Sequence, residues 1–172
     1  KAAGFEDLAA EEDVELMQNK SPKVRVDDFS PVSWEKDPEL EWCPPGHGDL
    51  YAALLGSGTL QRLVDGGYRY AFVSNSDNLG ATLDVDLLCY FAKSGKQFLM
   101  EVAERTEADK KGGQLALHKG TTRMVLRESA MCPKEDTDAF QDIKRHGFFN
   151  TNNIWLDLVD VLRVMKAQGG FM

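Results

Sequence analysis

The sequence has few of the residues that build zinc sites and disulfide frameworks. Its 172 residues include three cysteines and three histidines. No two cysteines form a C-x-x-C pair, which excludes the common zinc-binding patterns. Three widely separated cysteines are typical of reduced thiols in a reducing compartment, which favours the cytoplasm. We therefore expect Cys43, Cys89 and Cys132 to be buried free thiols.

The sequence also lacks long apolar runs and clusters of basic residues. No apolar stretch reaches the roughly 20 residues of a transmembrane helix, so we expect no membrane partner. Aspartate and glutamate (28) outnumber lysine and arginine (20), and the formal net charge is −8. This acidity argues against a nucleic-acid partner. Small anionic substrates remain compatible with it, because backbone N–H groups, a metal ion and a few local cations can hold phosphates.

Three common catalytic motifs are absent. The sequence contains no GxSxG, no HExxH and no GxxxxGK[ST]. These are the signatures of serine hydrolases, of zinc proteases and of phosphate-binding P-loops, respectively. Any catalysis must therefore depend on another arrangement of residues.

Strand-like and helix-like segments alternate along the chain. The pattern predicts strands or hairpins over 68–73, 97–105, 113–129 and 147–157. It predicts helices over 82–95 and 158–170, and either one helix or a kinked pair of helices over 48–67. Residues 1–16 have the composition of an acidic helix end leading into a strand. The alternation predicts an α/β fold with a mixed, mostly parallel sheet and helices on both faces. Ligands bind such folds beyond the carboxyl ends of strands, where the SNSDN and NTNN segments would lie.

The stretch PPGHGD, residues 44–49, stands directly before a helix-like run. Gly46 and Gly48 allow the backbone to turn closely around a ligand, and the prolines stiffen the approach. A helix N-terminus after glycines attracts anions, and His47 could donate to a phosphate or a sugar oxygen. The alternative is a glycine-lined helix entry with no ligand.

The stretch SNSDN, residues 74–78, follows the predicted strand 68–73. Asn75 and Asp77 would point to the same side, and one carboxylate among amides suits Mg²⁺ that also binds a phosphate. The alternative is a polar turn that caps the next segment.

Other polar residues lie at predicted strand ends or in loops. Lys110 and Lys111 precede Gly112 and Gly113, which indicates either an exposed charged loop or a glycine backbone against a sugar or phosphate. Glu128 could accept hydrogen bonds from sugar hydroxyls or face water. The asparagines of FFNTNN could bind sugar hydroxyls, because an amide both donates and accepts, or could form local turns.

Five motifs occur in a fixed order: WCPPGHGDLY, FVSNSDNLGAT, MEVAERTEADKKGG, ESAMCP and FFNTNNIWLDL. Together they resemble the eukaryotic-type UDP-glucose pyrophosphorylase family, which is the UTP–glucose-1-phosphate uridylyltransferase family. The resemblance extends from about Met17 onward. It implies a Rossmann-like nucleotidyltransferase fold and Mg²⁺-dependent transfer of a uridylyl group from UTP to glucose 1-phosphate, giving UDP-glucose and pyrophosphate.

The resemblance also implies roles for individual residues. Gln18 and Gly46 resemble the residues that contact uracil, and His47 resembles the histidine beside the sugar phosphate. Asn75, Ser76 and Asp77 resemble the segment that contacts sugar and metal. The resemblance implies that Asp77 is the Mg²⁺ ligand, and that Asp77 and His47 are catalytic residues. Contacts with the hexose are implied for these residues: Gly113, Glu128 and Asn153. Asn150 or Asn152 could take the place of Asn153.

The sequence departs from the family pattern at both ends. The glycine-rich nucleotide loop with its lysine does not precede Gly46, and neither a second phosphate-binding lysine nor a C-terminal domain follows. Residues 1–172 therefore resemble the central portion of one nucleotidyltransferase catalytic domain. We expect this portion alone to be inactive and to show some self-association through an exposed sheet edge.

Two other functions remain open at this point. One is a UDP-sugar or UDP-N-acetylhexosamine pyrophosphorylase with a broader or different sugar range. The other is a non-catalytic module that binds nucleotide sugars. The phosphate of glucose 1-phosphate is mostly ionised at neutral pH, with a second pKa of about 6, so a uridylyltransferase needs no general base. It needs positioning and charge neutralisation, which agrees with the absence of a catalytic triad.

Overall fold

The computed structural model describes residues 15–109 and 112–170. They group into two compact units, the first comprising the described residues up to Arg69 and from Leu158 onward, and the second Tyr70–Asp157. The predicted helix end at residues 1–16 lies outside the described residues except for Glu15 and Leu16. In the described part of the chain, no helix has the length and apolar character needed to cross a membrane.

The elements follow the predicted alternation of strands and helices. The strands are β1 (Ser21–Pro22), β2 (Trp42–Cys43), β3 (Tyr70–Val73), β4 (Phe98–Glu104), β5 (Gln114–Leu117), β6 (Met124–Arg127) and β7 (Phe148–Asp157). The helices are α1 (Asp49–Gly56), α2 (Thr59–Asp65), α3 (Val85–Ser94), α4 (Thr137–Gln141) and α5 (Leu158–Ala167). Short 3₁₀ turns occupy Pro38–Glu41, Glu107–Asp109, Ser129–Met131 and Lys134–Asp136.

The first unit contains three helices that contact one another, α1, α2 and α5. The run 48–67 forms two helices because the chain turns at Gly58, whose φ of 78° suits glycine. The predicted apolar stripe of α5 is confirmed, since its four residues are all buried: Leu158, Val161, Leu162 and Met165. Burial of this stripe against α1 and α2 builds the core of the unit.

The second unit is built on a five-stranded sheet in which β7 is central. β7 pairs with β3, β4 and β5, and β6 completes the hairpin with β5. Trp155, Leu156 and Asp157 are buried in succession, as expected for a strand with neighbours on both sides. α3 follows β3; Asp84 caps its first turn, and Gly95 ends it at a φ of 64°.

The α/β class is confirmed, but the prediction of a mostly parallel sheet is wrong for the described residues. Every strand pair among them is antiparallel. β3 and β4 do run in the same direction with α3 between them in sequence, as a strand–helix–strand unit requires. However, β7 lies between these two strands and pairs antiparallel with both, so they do not pair with each other.

The cysteines are free, as predicted, but the prediction that all are buried is wrong. Cys89 is exposed on α3, while Cys43 and Cys132 are half-buried. The Cys43 thiol donates to the carbonyl of Ser21 across the β1–β2 pair, at 3.5 Å. Cys89 is exposed because it lies on the polar side of an amphipathic helix whose buried residue is Phe91.

Candidate functional site

The predicted nucleotide loop lies in the first unit, directly before α1. Gly46 has a φ of 101°, a conformation that side chains disfavour. The Asp49 N–H donates to Gly46 O at 3.1 Å and the Leu50 N–H donates to His47 O at 3.2 Å, so the loop winds directly into the helix. His47 is exposed at this turn. The glycine pair therefore serves a helix entry, and the same geometry leaves the loop backbone accessible.

Two distant segments meet at this loop. Gln18 Nε2 donates to Gly46 O at 3.4 Å. Asn19 donates twice to the Asp49 carboxylate, from its backbone N–H at 2.7 Å and from Nδ2 at 2.8 Å. Gln18 and Gly46, which the family resemblance predicts as neighbours on uracil, are thus in direct contact.

Sequence reasoning missed Asn19 and the tether that it forms. The paired bonds between Asn19 and Asp49 fix the segment that carries Gln18 across the loop. The available signal was a polar pair, Gln18-Asn19, in a stretch without regular structure. Such a pair has no distinguishing pattern until its partner at the helix start is known.

A cavity of about 200 Å³ adjoins the loop in the first unit. It is lined by Leu16, Gln18, His47, Asp49, Leu50 and Ala53. Pockets for small ligands usually exceed about 300 Å³, so this one can hold only part of a ligand, such as one ring. The lining offers apolar walls together with amide, imidazole and carboxylate groups, which suits a polar heterocycle.

The SNSDN segment lies in the second unit and forms the loop after β3. The Asn78 N–H donates to Asn75 O at 3.2 Å, which closes a turn around Ser76 and Asp77. Ser76 and Asp77 are exposed, and Asn75 is half-buried. No hydrogen bond or ion pair within the described residues engages the Asp77 carboxylate, so its oxygens are available to a ligand.

A second group of predicted residues meets where β5 and β7 begin and β6 ends. A Cβ built on Gly113 would overlap the carboxyl group of Glu128. The Asn150 N–H donates to Gly113 O at 2.9 Å. Gly113, Glu128 and Asn150 come from three separate segments and form one polar cluster. We call it the hexose cluster, after the role that the family resemblance implies for its residues.

Asn150 and Asn152 bind each other. Asn150 Nδ2 donates to Asn152 Oδ1 at 2.8 Å, and the Asn152 N–H donates to Asn150 Oδ1 at 2.9 Å. Asn152 has a φ of 60°, in the left-handed region that asparagine tolerates better than most residues. These two amides therefore fix the local backbone of β7 beside the hexose cluster.

Asn153 lies in a different environment from the other two asparagines. It is buried, with 5% of its surface exposed. Its Nδ2 donates to Glu101 at 3.1 Å, and its Oδ1 accepts from Asn78 at 3.4 Å. Both ends of its amide are thus bonded within the protein, while Asn150 lies directly beside Gly113.

A buried arginine, which sequence reasoning did not identify, holds the loop that leads to Gly113. Arg105 Nη1 donates to Gln114 Oε1 at 2.6 Å and Nη2 donates to Asp109 O at 3.2 Å. Nη1 also lies 3.3 Å from the carbonyls of Phe140 and His146. Lys110 and Lys111, the predicted charged pair of this loop, lie outside the described residues.

Burial and hydrogen bonds shift the pKa of three groups that lie near these segments. Burial lowers the pKa of His146 below its usual range and raises that of Tyr51. Hydrogen bonds from Thr106 lower the pKa of Asp109. Within residues 15–109 and 112–170, no three His, Cys, Asp or Glu side chains are grouped to hold a metal ion.

Comparison with known proteins identifies related sequences. The sequence profile of the family described as UTP–glucose-1-phosphate uridylyltransferase matches residues 7–171. The proteins of that name from Saccharomyces cerevisiae and Hordeum vulgare are 42% and 39% identical to the chain over 152 residues, which is 88% of it. The matches cover 30% and 32% of those two proteins, so the chain spans about a third of their length.

Solved structures also resemble the chain. A UDP-glucose phosphorylase from Trypanosoma brucei superposes with a TM-score of 0.89 at 57% identity, covering 92% of this chain and 35% of that one. A point mutant of UDP-glucose pyrophosphorylase from Leishmania major, in complex with UDP-glucose, gives 0.88 at 51% identity, covering 97% and 37%. These likenesses confirm the predicted α/β nucleotidyltransferase-like fold. The match over residues 7–171 establishes that the chain belongs to the UTP–glucose-1-phosphate uridylyltransferase family.

Proposed function

We propose that the protein containing this chain transfers a uridylyl group from UTP to glucose 1-phosphate. In this reaction a phosphate oxygen of glucose 1-phosphate attacks the α-phosphorus of UTP. The bond to the β-phosphate breaks, and pyrophosphate leaves with its electron pair. The observation that carries the proposal is the hexose cluster, in which Gly113, Glu128 and Asn150 come together from three segments of a chain that belongs to the uridylyltransferase family.

The first unit is suited to hold the uracil. Gln18 lies on the backbone of Gly46, and the Asn19–Asp49 bonds fix the segment that carries it. The bond from Gln18 Nε2 to Gly46 O fixes the direction of the Gln18 amide. An amide of fixed direction can distinguish uracil from cytosine, because the two bases exchange donor and acceptor along this edge. His47, exposed at the same loop, can donate to a phosphate or a sugar oxygen.

The second unit is suited to hold the sugar. The Glu128 carboxylate can accept hydrogen bonds from hydroxyls, and Gly113 leaves room for this carboxylate because it has no side chain. Asn150 and Asn152 offer amides beside these groups, and Asn75 offers another on the loop after β3. Of the three asparagines left open by the sequence, the geometry favours Asn150 and Asn152 for sugar contact. Asn153 is buried, whereas Asn150 and Asn152 are half-buried, and Asn150 is bonded directly to Gly113.

We propose Mg²⁺ as the cofactor, with Asp77 as its protein ligand. Mg²⁺ is commonly held by one or two carboxylates, with substrate phosphates and waters completing its shell. The exposed Asp77 carboxylate, which no described residue engages, fits this donor set. When bound, the ion would neutralise phosphate charge and orient the reacting groups.

The proposal is tested by measuring pyrophosphate release from the full-length protein with UTP, glucose 1-phosphate and Mg²⁺. We expect turnover with these substrates, weak turnover with CTP, and weak turnover with N-acetylglucosamine 1-phosphate. Comparable turnover with several sugar phosphates would favour the broad-specificity alternative. Tight binding of UDP-glucose without any turnover would favour the non-catalytic module and contradict the proposal.

We propose a cytoplasmic location and some self-association as further properties. Three free cysteines support a reducing compartment. β6 has a described neighbour, β5, on one side, and an open strand edge can pair with another chain. Fractionation of cells and sedimentation of the purified protein would test these two statements.

A further inference from the structure

A chain of hydrogen bonds crosses the second unit from its core to the SNSDN loop. The Glu101 carboxylate, in the middle of β4, accepts from Trp155 Nε1 at 2.7 Å and from Asn153 Nδ2 at 3.1 Å. Asn153 Oδ1 then accepts from Asn78 Nδ2 at 3.4 Å. We call these four residues the relay: Trp155, Glu101, Asn153 and Asn78.

Each bond in the relay fixes the direction of the next. A carboxylate only accepts hydrogen bonds, so Glu101 must face the NH₂ group of Asn153. The carbonyl oxygen of Asn153 then points away from Glu101, toward Asn78. Asn78 meets it with NH₂, because its own carbonyl oxygen accepts from the Gly80 N–H at 3.1 Å. Each hydrogen bond of the relay thus joins a donor to an acceptor.

The far end of the relay holds the loop that carries Asn75 and Asp77. The Asn78 N–H donates to Asn75 O at 3.2 Å, and Asn78 O accepts from the Ala81 N–H at 3.0 Å. Asn78 is therefore the residue around which this loop folds. The near end is rigid, because Trp155 is buried and Thr151 Oγ1 donates to Glu101 O at 2.8 Å.

We propose that Glu101 is a positioning residue, which holds Asn75 and Asp77 in place for sugar and metal by setting the direction of the Asn153 and Asn78 amides. This inference rests on the proposed function for the roles of Asn75 and Asp77. In this proposal Glu101 contacts no substrate, and Asn153 is a positioning residue rather than a contact with the hexose.

The relay makes Glu101→Gln a sharp test. The carbonyl of the introduced glutamine can accept from either Trp155 Nε1 or Asn153 Nδ2, and its own NH₂ group then faces the other of these two donors. If the Asn153 amide rotates to present its oxygen, its NH₂ group meets that of Asn78 instead. Any arrangement leaves one donor against another, so we expect binding of UDP-glucose, measured by calorimetry on the full-length protein, to weaken about tenfold.

Asn78→Asp should break the relay from its other end. The introduced aspartate can still accept from the Gly80 N–H, but it cannot donate to the Asn153 carbonyl. Since this change lies in a loop, it keeps the test available if Glu101→Gln does not fold. We expect a loss of binding similar to that of Glu101→Gln.

The double variant Glu101→Gln/Asn78→Asp should recover binding to within about threefold of wild type. The introduced glutamine would donate to the Asn153 carbonyl, and the rotated Asn153 would donate to the introduced aspartate, so the relay would run in reverse with every group paired. Removal of a merely structural contact would not be rescued by a second change. The matched control is Glu104→Gln, which removes an exposed carboxylate from the end of the same strand and should bind as wild type does.

Hydrogen exchange of the backbone amides of residues 75–81 provides a readout that does not depend on the proposed function. Exchange should accelerate in both single variants and return to the wild-type rate in the double variant. If the wild-type protein neither binds UDP-glucose nor turns over, the proposed function fails, and the exchange rates alone decide the inference. The inference would be overturned if exchange of these amides were unchanged in Asn78→Asp, or if the double variant did not recover the wild-type exchange rate.

Discussion

Substitution of Gly113 by alanine separates the function of the hexose cluster from the stability of the fold. A Cβ at this position would overlap the Glu128 carboxyl group, which belongs to an exposed and flexible side chain. Glu128 can rotate away without moving the backbone. Gly113 does not have a positive φ, so alanine introduces no backbone strain there.

The two consequences differ in size. Alanine in place of glycine at an unstrained position stabilises a protein by about 0.4–1 kcal/mol, because it reduces the entropy of the unfolded chain. We therefore expect a melting temperature equal to or slightly above that of wild type. Displacement of Glu128 would remove the proposed hydrogen bond between this charged group and the sugar, and such a bond contributes about 1.5–3 kcal/mol. Since about 1.4 kcal/mol is a factor of ten, UDP-glucose should bind roughly 10- to 100-fold more weakly.

The assay is calorimetric titration of the full-length protein with UDP-glucose, together with thermal unfolding. Gly112→Ala is the matched control, because its Cβ would meet the Phe149 side chain at 3.4 Å, an ordinary contact. In a Glu128→Ala background, Gly113→Ala should cause no further loss of affinity. Wild-type affinity of Gly113→Ala, or a full additional loss in the Glu128→Ala background, would refute the reasoning.

Three further changes test other parts of the molecule. Asp77→Asn should reduce Mg²⁺-dependent turnover by at least about 100-fold, which is the scale of one lost electrostatic contact in a transition state. Asp86→Asn is an exposed control on α3 and should keep wild-type turnover, so equal rates in the two variants would contradict the metal assignment. Asp49→Ala should weaken UTP binding several-fold in calorimetry, because Asn19 loses both bonds that fix the Gln18 segment; an unchanged Kd would show that this tether is dispensable. Burial lowers the pKa of His146, so the unfolded state binds the proton more readily, and the free energy of unfolding should fall as pH drops below about 6.5. Denaturant unfolding at pH 5 and 7.5 measures this fall, which should be smaller in His146→Gln.

Local signals predicted the elements of this fold well. Gly95 ends α3, as predicted. The run 48–67 forms a pair of helices, which is one of the two arrangements that its pattern predicts. The strand before SNSDN ends at Val73, as the change from apolar to polar residues predicts. In each case the residues that set the boundary lie within a few positions of it.

The order and direction of the strands could not be predicted in the same way. β7 lies more than forty residues beyond β4 in sequence, yet it pairs with both β3 and β4. A sequence in which strands and helices alternate favours parallel pairing of successive strands. That pattern is the same whether or not a later strand inserts between the two. Pairing depends on which distant strands bury each other's side chains, and no local pattern carries that information.

The choice among the asparagines of β7 had the same limit. Alternation along a strand separates Asn150 and Asn152 from Asn153, but it does not tell which side meets a ligand. That choice depends on Glu101, which lies some fifty residues away and binds the amide of Asn153. One signal was nevertheless present in the sequence. Glu101 is a single carboxylate between Met100 and Val102 in an otherwise apolar strand centre, and such a group requires donors from elsewhere in the fold. A carboxylate at the centre of an apolar strand thus predicts a hydrogen-bonded network before its partners are known, and here that network leads to the loop of Asp77.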